Sequence, residues 1–250
     1  MSETPTSGKP SAGRVAGAWA KEIAIVVVGA LIASTLLRLF VAQMFVIPSG
    51  SMENTLQIRD RVMVQKVAGW SRGDIVVFRD TQGWLADPAE ETDPVRKALI
   101  FIGLAPDESS NHLIKRVIGL PGDHVKCCDA QGRITVNGQP LDESGYLFSE
   151  NGETVAPSDF PFDVVVPKDR IWVMGDHRNN SQDSRCHLSE GTGGIAAFVP
   201  TANVVGSAVA VVYPFDRWRT LPRPSTFDQV PAASGPAPDT PVITGPIPKC

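Results

Sequence analysis

Three polar stretches of the chain carry groups that a hydrolytic reaction would need. Residues 45–56 read FVIPSGSMENTL, placing Ser49 and Ser51 in a Ser-Gly-Ser turn after an extended Val-Ile-Pro. Such a turn can present a hydroxyl as a nucleophile, although Ser-Gly turns are also ordinary loop chemistry. Residues 112–125 read HLIKRVIGLPGDHV, and in a strand Leu113, Lys115 and Val117 share one face. A lysine among apolar neighbours is either a surface cation or a desolvated one. Only the second is a base: a free lysine near 10.4 stays protonated at neutral pH, whereas burial can bring it to roughly 7–8. Residues 175–185 read GDHRNNSQDSR, a cluster suited to loop hydrogen bonds and ion pairs, such as Asp183 with Arg185 or Arg178.

Other chemistries find less support. Ser-x-x-Lys, His-Glu-x-x-His and a P-loop are absent from the sequence. A Ser/His/Asp triad through His177 is possible on residue types alone. The cysteines Cys127, Cys128, Cys186 and Cys250 form no Cys-x-x-Cys pair, so neither a metal nor another cofactor is expected. A formal net charge of −4 argues against a nucleic-acid partner, which needs clustered cations to neutralise phosphates.

Several elements must position these stretches. Residues 23–47 are apolar except for Arg38 and a few small or polar side chains. As a helix they would reach about 37 Å, against a hydrocarbon core of about 30 Å. The expected organisation is a disordered cytoplasmic tail over residues 1–21 and a transmembrane helix over 22–44. Lys9, Arg14 and Lys21 precede the span, which favours a cytoplasmic N-terminus in the plasma membrane, with the rest of the chain outside. A cleavable signal peptide and a buried core helix are the competing readings of the same run.

Residues 45–218 are expected to form a mainly β domain. Residues 61–67, 74–79, 113–120, 133–137, 170–174 and 204–213 are short, β-branched and bounded by turn formers. Asn137-Gly138 suits a hairpin turn. Residues 80–112 form an insertion in which Pro94 would open a helix carrying Val95, Ala98, Leu99 and Ile102 on one face. That helix either touches the membrane or packs on the domain. Residues 219–250 are dense in Pro, Ala, Ser, Thr and Gly and read as a disordered tail.

The order and wording of the polar stretches after an apolar anchor resemble the type I signal peptidases, or leader peptidases, of bacteria. FVIPSGSMENTL resembles their nucleophile box. RVMVQK and RGDIVVF resemble the strand box that follows. KRVIGLPGD resembles the general-base box, and GDHRNNSQDSR the last box. The resemblance implies a complex β fold of packed antiparallel sheets and a serine endopeptidase with a Ser/Lys dyad. It implies that Ser51 is the nucleophile and Lys115 the neutral base, oriented by Ser181. The Ser51 N–H and Ser49 hydroxyl would form the oxyanion hole, and Asp176, Arg178, Asp183 and Arg185 would hold the loop. Substrates would be signal peptides of exported preproteins with an Ala-x-Ala-type site. Phe45, Ile47, Met52, Leu56, Val62 and Ile114 are candidates for two shallow pockets that accept the small residues. The lipid bilayer and, transiently, a translocation channel would be partners. Asn54 stands where the family usually has Pro, and His177 and Asn179 replace the usual Asn and Asp.

An extracytoplasmic location permits disulfides. Cys186 is expected to pair with Cys127 or Cys128, or all are buried thiols, with Cys250 unpaired. Two rival functions share these features: a self-cleaving repressor-type peptidase, and an anchored β-rich binding protein whose Ser and Lys are structural.

Overall fold

The computed structural model describes residues 12–86, 92–101, 111–189, 192–247 and 250. A long helix, α1 (Ala12–Phe40), comes first. Its stretch Trp19–Phe40 has a mean hydropathy of 2.4 and none of it is buried against the other described residues. Twenty-two residues rise about 33 Å, enough to cross a bilayer. Its exposure among the described residues speaks against a buried core helix. Helix begins at Ala12, so residues 12–21 are not the disordered tail expected; residues 1–11 lie outside the described residues.

The expected span over 22–44 also ends too late. Helix stops at Phe40, and Ala42–Val46 is already strand β1. β1 is paired residue for residue with β2 (Arg61–Gln65). The apolar run is continuous across this boundary, so hydropathy could not mark it. What ends the helix is the β ladder waiting for residues 42–46.

The remaining strands are β3 (Ile75–Arg79), β4 (His112–Gly119), β5 (His124–Cys127), β6 (Thr135–Val136), β7 (Gln139–Pro140), β8 (Ser149–Glu150) and β9 (Glu153–Thr154). They continue with β10 (Phe162–Val165), β11 (Arg170–Met174), β12 (Val199–Pro200), β13 (Val204–Tyr213), β14 (Arg219–Thr220) and β15 (Val242–Ile243). The described strands make an eight-stranded antiparallel sheet in the order β1-β2-β13-β3-β4-β11-β12, with β14 on β13. A second sheet runs β15-β10-β5-β6-β7, and β8 pairs with β9. This is the mainly β fold of packed antiparallel sheets that was expected. Asn137 and Gly138 both have positive φ, as the tight β6–β7 hairpin requires.

Three apolar clusters hold the sheets. The largest surrounds Trp172, Phe162 and Phe198. A second joins Ile47, Met52 and Leu56 to Val62, Val64 and Val211. A third gathers Val76, Phe78, Trp84 and Val173. Burying one such side chain contributes about 1.5–3 kcal/mol.

The insertion contains a helix, α2 (Pro94–Phe101), opened by Pro94 as expected. The Asp93 carboxylate accepts the Val95 N–H at 2.8 Å and caps its first turn. The side chains of Ala98 and Leu99, and all of Ile102, lie outside the described residues, so the apolar face proposed for this helix does too.

The expected disordered tail is packed instead. β14 extends the large sheet, Phe227 and Val230 enter the largest cluster, and β15 pairs with β10. Composition suggested disorder, yet a few apolar anchors spaced along a proline-stiffened segment suffice to lay it over the domain.

Candidate active site

Ser51 lies in a single 3-10 turn, Gly50–Met52, at the end of the extended β1 segment. Met52 and Leu56 are buried in the cluster beneath it and hold the turn against the sheet. Lys115 lies in the middle of β4, which pairs with β3 on one side and β11 on the other. The Ser51 turn and the loop carrying Asp176, Asp183 and Arg185 surround its side chain, and Lys115 is only 3 % exposed. Its Nζ donates to Ser51 Oγ at 2.5 Å, across 64 residues of sequence.

Burial pushes the Lys115 ammonium from 10.5 down to about 8. Asp183 and Asp176 pull it back up, and Arg185 pushes it down. Desolvation wins, so about a tenth of the amine is neutral at pH 7 and about half at pH 8.

The last polar stretch supplies the carboxylates and closes around Ser51 and Lys115. Asp176 takes two bonds from Arg116, Nε to Oδ1 at 2.8 Å and Nη2 to Oδ2 at 2.6 Å. The Thr55 hydroxyl donates to the same carboxylate at 2.5 Å, tying the segment after Ser51 to this loop. Arg185 grips Asp183 through Nε and Nη2, both at 2.8 Å, and Asp183 also accepts the Gly175 N–H at 2.9 Å. Burial alone would raise the Asp183 carboxyl, but Arg185 holds it below the usual range. Arg178 turns away to Glu143, with Nη2 to Oε1 at 2.6 Å. Of the two partners considered for Asp183, Arg185 is the one it takes.

Ser49 Oγ lies 3.4 Å from Ser51 Oγ, on the exposed side of the turn. Ser181 departs from expectation. Its hydroxyl is buried without a hydrogen-bond partner among the described residues, and the Lys115 bond goes to Ser51. The Ser181 hydroxyl nevertheless flanks Gly175, whose other close neighbour is the Ser51 carbonyl. Of the six pocket candidates, Ile47, Met52, Leu56, Val62 and Ile114 share one cluster with Phe45 packed against it. Met52, Leu56 and Val62 are fully buried and form the floor of this region rather than an open surface. Phe45 is the partly exposed member.

The cysteine expectation needs correction. Cys186 is bonded to Cys250, and Cys127 to its neighbour Cys128. The packed tail returns Cys250 to the loop after the last polar stretch, which its position at the end of the sequence could not reveal.

Sequence reasoning missed Arg116, Glu143 and Gly175. Arg116 is buried, stacks its guanidinium 4.2 Å from the Tyr146 ring, and is the two-point partner of Asp176. The buried pattern of β4 was the available signal, since Arg116 follows Lys115 inside it. Glu143 stands in no recognisable motif. Among the described residues no group of three His, Cys, Asp or Glu is placed to hold a metal.

Comparison with known proteins shows the family. Residues 19–213 match the family model for signal peptidase, peptidase S26. Signal peptidase I of Mycobacterium tuberculosis is 37 % identical over 222 residues, covering 79 % of this chain and 74 % of that protein. Signal peptidase I of Leptolyngbya laminosa is 34 % identical over 196 residues, covering 76 % and 78 %. Signal peptidase I S of Bacillus subtilis is 33 % identical over 211 residues, covering 80 % and 91 %. The chain that folds a buried lysine onto a turn serine belongs to the signal peptidase family, peptidase S26.

Proposed function

We propose that this chain is a membrane-anchored serine endopeptidase that removes signal peptides from exported preproteins through Ser51 and Lys115. The observation that carries the reading is the 2.5 Å contact between a buried lysine amine and the turn hydroxyl. The family relationship supports the substrate class.

In this mechanism neutral Lys115 accepts the Ser51 Oγ proton as Oγ attacks the scissile carbonyl carbon. The oxyanion that forms is stabilised by the Ser51 N–H and the Ser49 hydroxyl. Lys115 then gives the proton to the departing amine, the C–N bond breaks, and an acyl ester on Ser51 remains. Water deprotonated by Lys115 attacks the ester and frees the serine. The Ser181 hydroxyl, buried and unpartnered among the described residues, is available to accept from the lysine while its proton is in transit. The substrate backbone lies extended beside the segment ahead of Ser51 and small side chains enter beside Phe45, which suits an Ala-x-Ala-type site.

The anchor is α1, with Lys9, Arg14 and Lys21 on the cytoplasmic side and the β domain outside the plasma membrane. A transient contact with the translocation channel fits this placement. Wild type, Ser51→Ala and Lys115→Ala are compared on a purified preprotein in detergent. Both variants should leave the preprotein intact; cleavage at the wild-type rate by either rejects the dyad.

A further inference from the structure

The peptide unit joining Gly50 to Ser51 has two ends. Its N–H is the oxyanion donor of the proposed mechanism, and its C=O points the opposite way because the unit is planar and trans. Whatever holds that carbonyl aims the N–H. Two donors reach it: the Glu53 backbone N–H, at 3.1 Å, and the side chain of His177. Its Nδ1 lies 3.2 Å from the Gly50 oxygen and 3.1 Å from Glu53 Oε2. Both neighbours are acceptors only, so Nδ1 carries a hydrogen. The His177 backbone N–H donates to the next carbonyl, that of Ser51, at 3.1 Å.

The ring itself is fixed. It stacks on Phe148 with centroids 3.7 Å apart and planes 17° from parallel, and its side chain is 12 % exposed. The turn's own bond to the Gly50 carbonyl is the Glu53 N–H, and Ser49 makes no side-chain cap, so His177 is the side chain that fixes this carbonyl from outside the turn.

We propose that His177 is a positioning residue that aims and polarises the Ser51 N–H by hydrogen-bonding the Gly50 carbonyl from behind. A donor on a peptide oxygen strengthens the N–H of the same unit as a donor. The benefit is greatest when the substrate oxygen carries a full charge, so it falls on kcat more than on KM. The inference rests on the Ser51/Lys115 reading.

The test uses the full chain in detergent with a preprotein substrate. His177→Ala should lower kcat tenfold or more and change KM less than twofold. His177→Asn keeps an N–H donor on a shorter side chain and should recover kcat to within threefold of wild type, whereas His177→Leu should not. Glu53→Gln leaves the Gly50 bond in place and should stay within twofold. A peptide aldehyde, which forms a tetrahedral adduct on serine, should lose affinity in His177→Ala in proportion to kcat. Wild-type kcat in His177→Ala, or equal loss in the Asn and Leu variants, overturns the proposal. So does a tenfold loss in Glu53→Gln, which would assign the effect to the contact between His177 and Glu53; that variant decides the matter if the His177 variants fold poorly. Ser51→Ala runs alongside: if it still cleaves, the dyad reading fails, and if it is dead while His177→Ala is fully active, only this inference fails.

Discussion

The backbone of Gly175 lies so close to the Ser51 carbonyl oxygen that no side chain fits between them. A Cβ at position 175 would collide with that oxygen and with the Ser181 hydroxyl. The Ser51 carbonyl and Gly175 itself cannot shift freely, since the carbonyl is also held by the His177 N–H and the Gly175 N–H is held by Asp183. Gly175→Ala should therefore push the nucleophile turn away from Lys115. Cleavage should fall at least a hundredfold, with a loss of stability of about 1–3 kcal/mol from overpacking. Assays of preprotein cleavage and of thermal unfolding on the same preparation check both parts; wild-type activity would show that the two segments are not in contact.

The buried amine sets the pH dependence. Below its pKa of about 8 the Lys115 ammonium has no lone pair for the Ser51 proton. kcat/KM should rise about tenfold per pH unit below that value and level off above it. A profile measured from pH 6 to 9.5 shows the limb, and a flat one removes lysine from the role of base.

The same amine costs stability. In the unfolded chain it holds its proton up to about 10.5, and in the fold it releases it near 8. Between those values the unfolded state binds more protons, so stability rises with pH across this window. Below about 8 the fold carries the full cost of a buried cation, about 3 kcal/mol from the shift. Lys115→Met should abolish cleavage and make the protein more stable by up to that amount at pH 6. The difference should shrink as pH passes from 8 toward 10. Urea unfolding at pH 6 and pH 9.5 reads the effect; a variant less stable than wild type at pH 6 would mean the ammonium is well solvated.

The strands were legible because they announce themselves locally. Residues 170–174 and 204–213 alternate or run apolar between turn formers, and they fold as β11 and β13 with those same bounds. The polar stretches were legible as a set, through their resemblance to one family. What local patterns could not give was the pairing of distant elements. Lys115 reads as an ordinary surface cation until the Ser51 turn and the loop carrying Asp176, Asp183 and Arg185 enclose it. The end of α1 is hidden because the apolar run continues into β1. The tail misleads for the opposite reason: its composition is that of a disordered segment, while Phe227, Val230 and Ile243 find apolar neighbours made by other parts of the chain.

The tail also carries the last prediction. The bond from Cys186 to Cys250 closes a loop across 64 residues of sequence. In the chain-entropy description such a cross-link stabilises by about 4 kcal/mol, almost all of it by restricting the unfolded chain. Cys186 follows Arg185 directly, but the loop there is held independently by the Arg185–Asp183 pair and by the Gly175 bond to Asp183. Loss of the cross-link should thus reduce stability without disarming the site. Cys250→Ser should lower the midpoint of thermal unfolding by on the order of 10 °C, while preprotein cleavage at 25 °C stays within threefold of wild type. A thiol reductant should bring the wild-type midpoint down to that of Cys250→Ser. Reduction in Cys250→Ser should do little more, because Cys127 and Cys128 are adjacent and their bond closes almost no loop. An unchanged midpoint in Cys250→Ser would show that the tail is held by β15 and its apolar anchors alone. A loss of cleavage at an unchanged midpoint would instead place the disulfide in the service of the active-site loop.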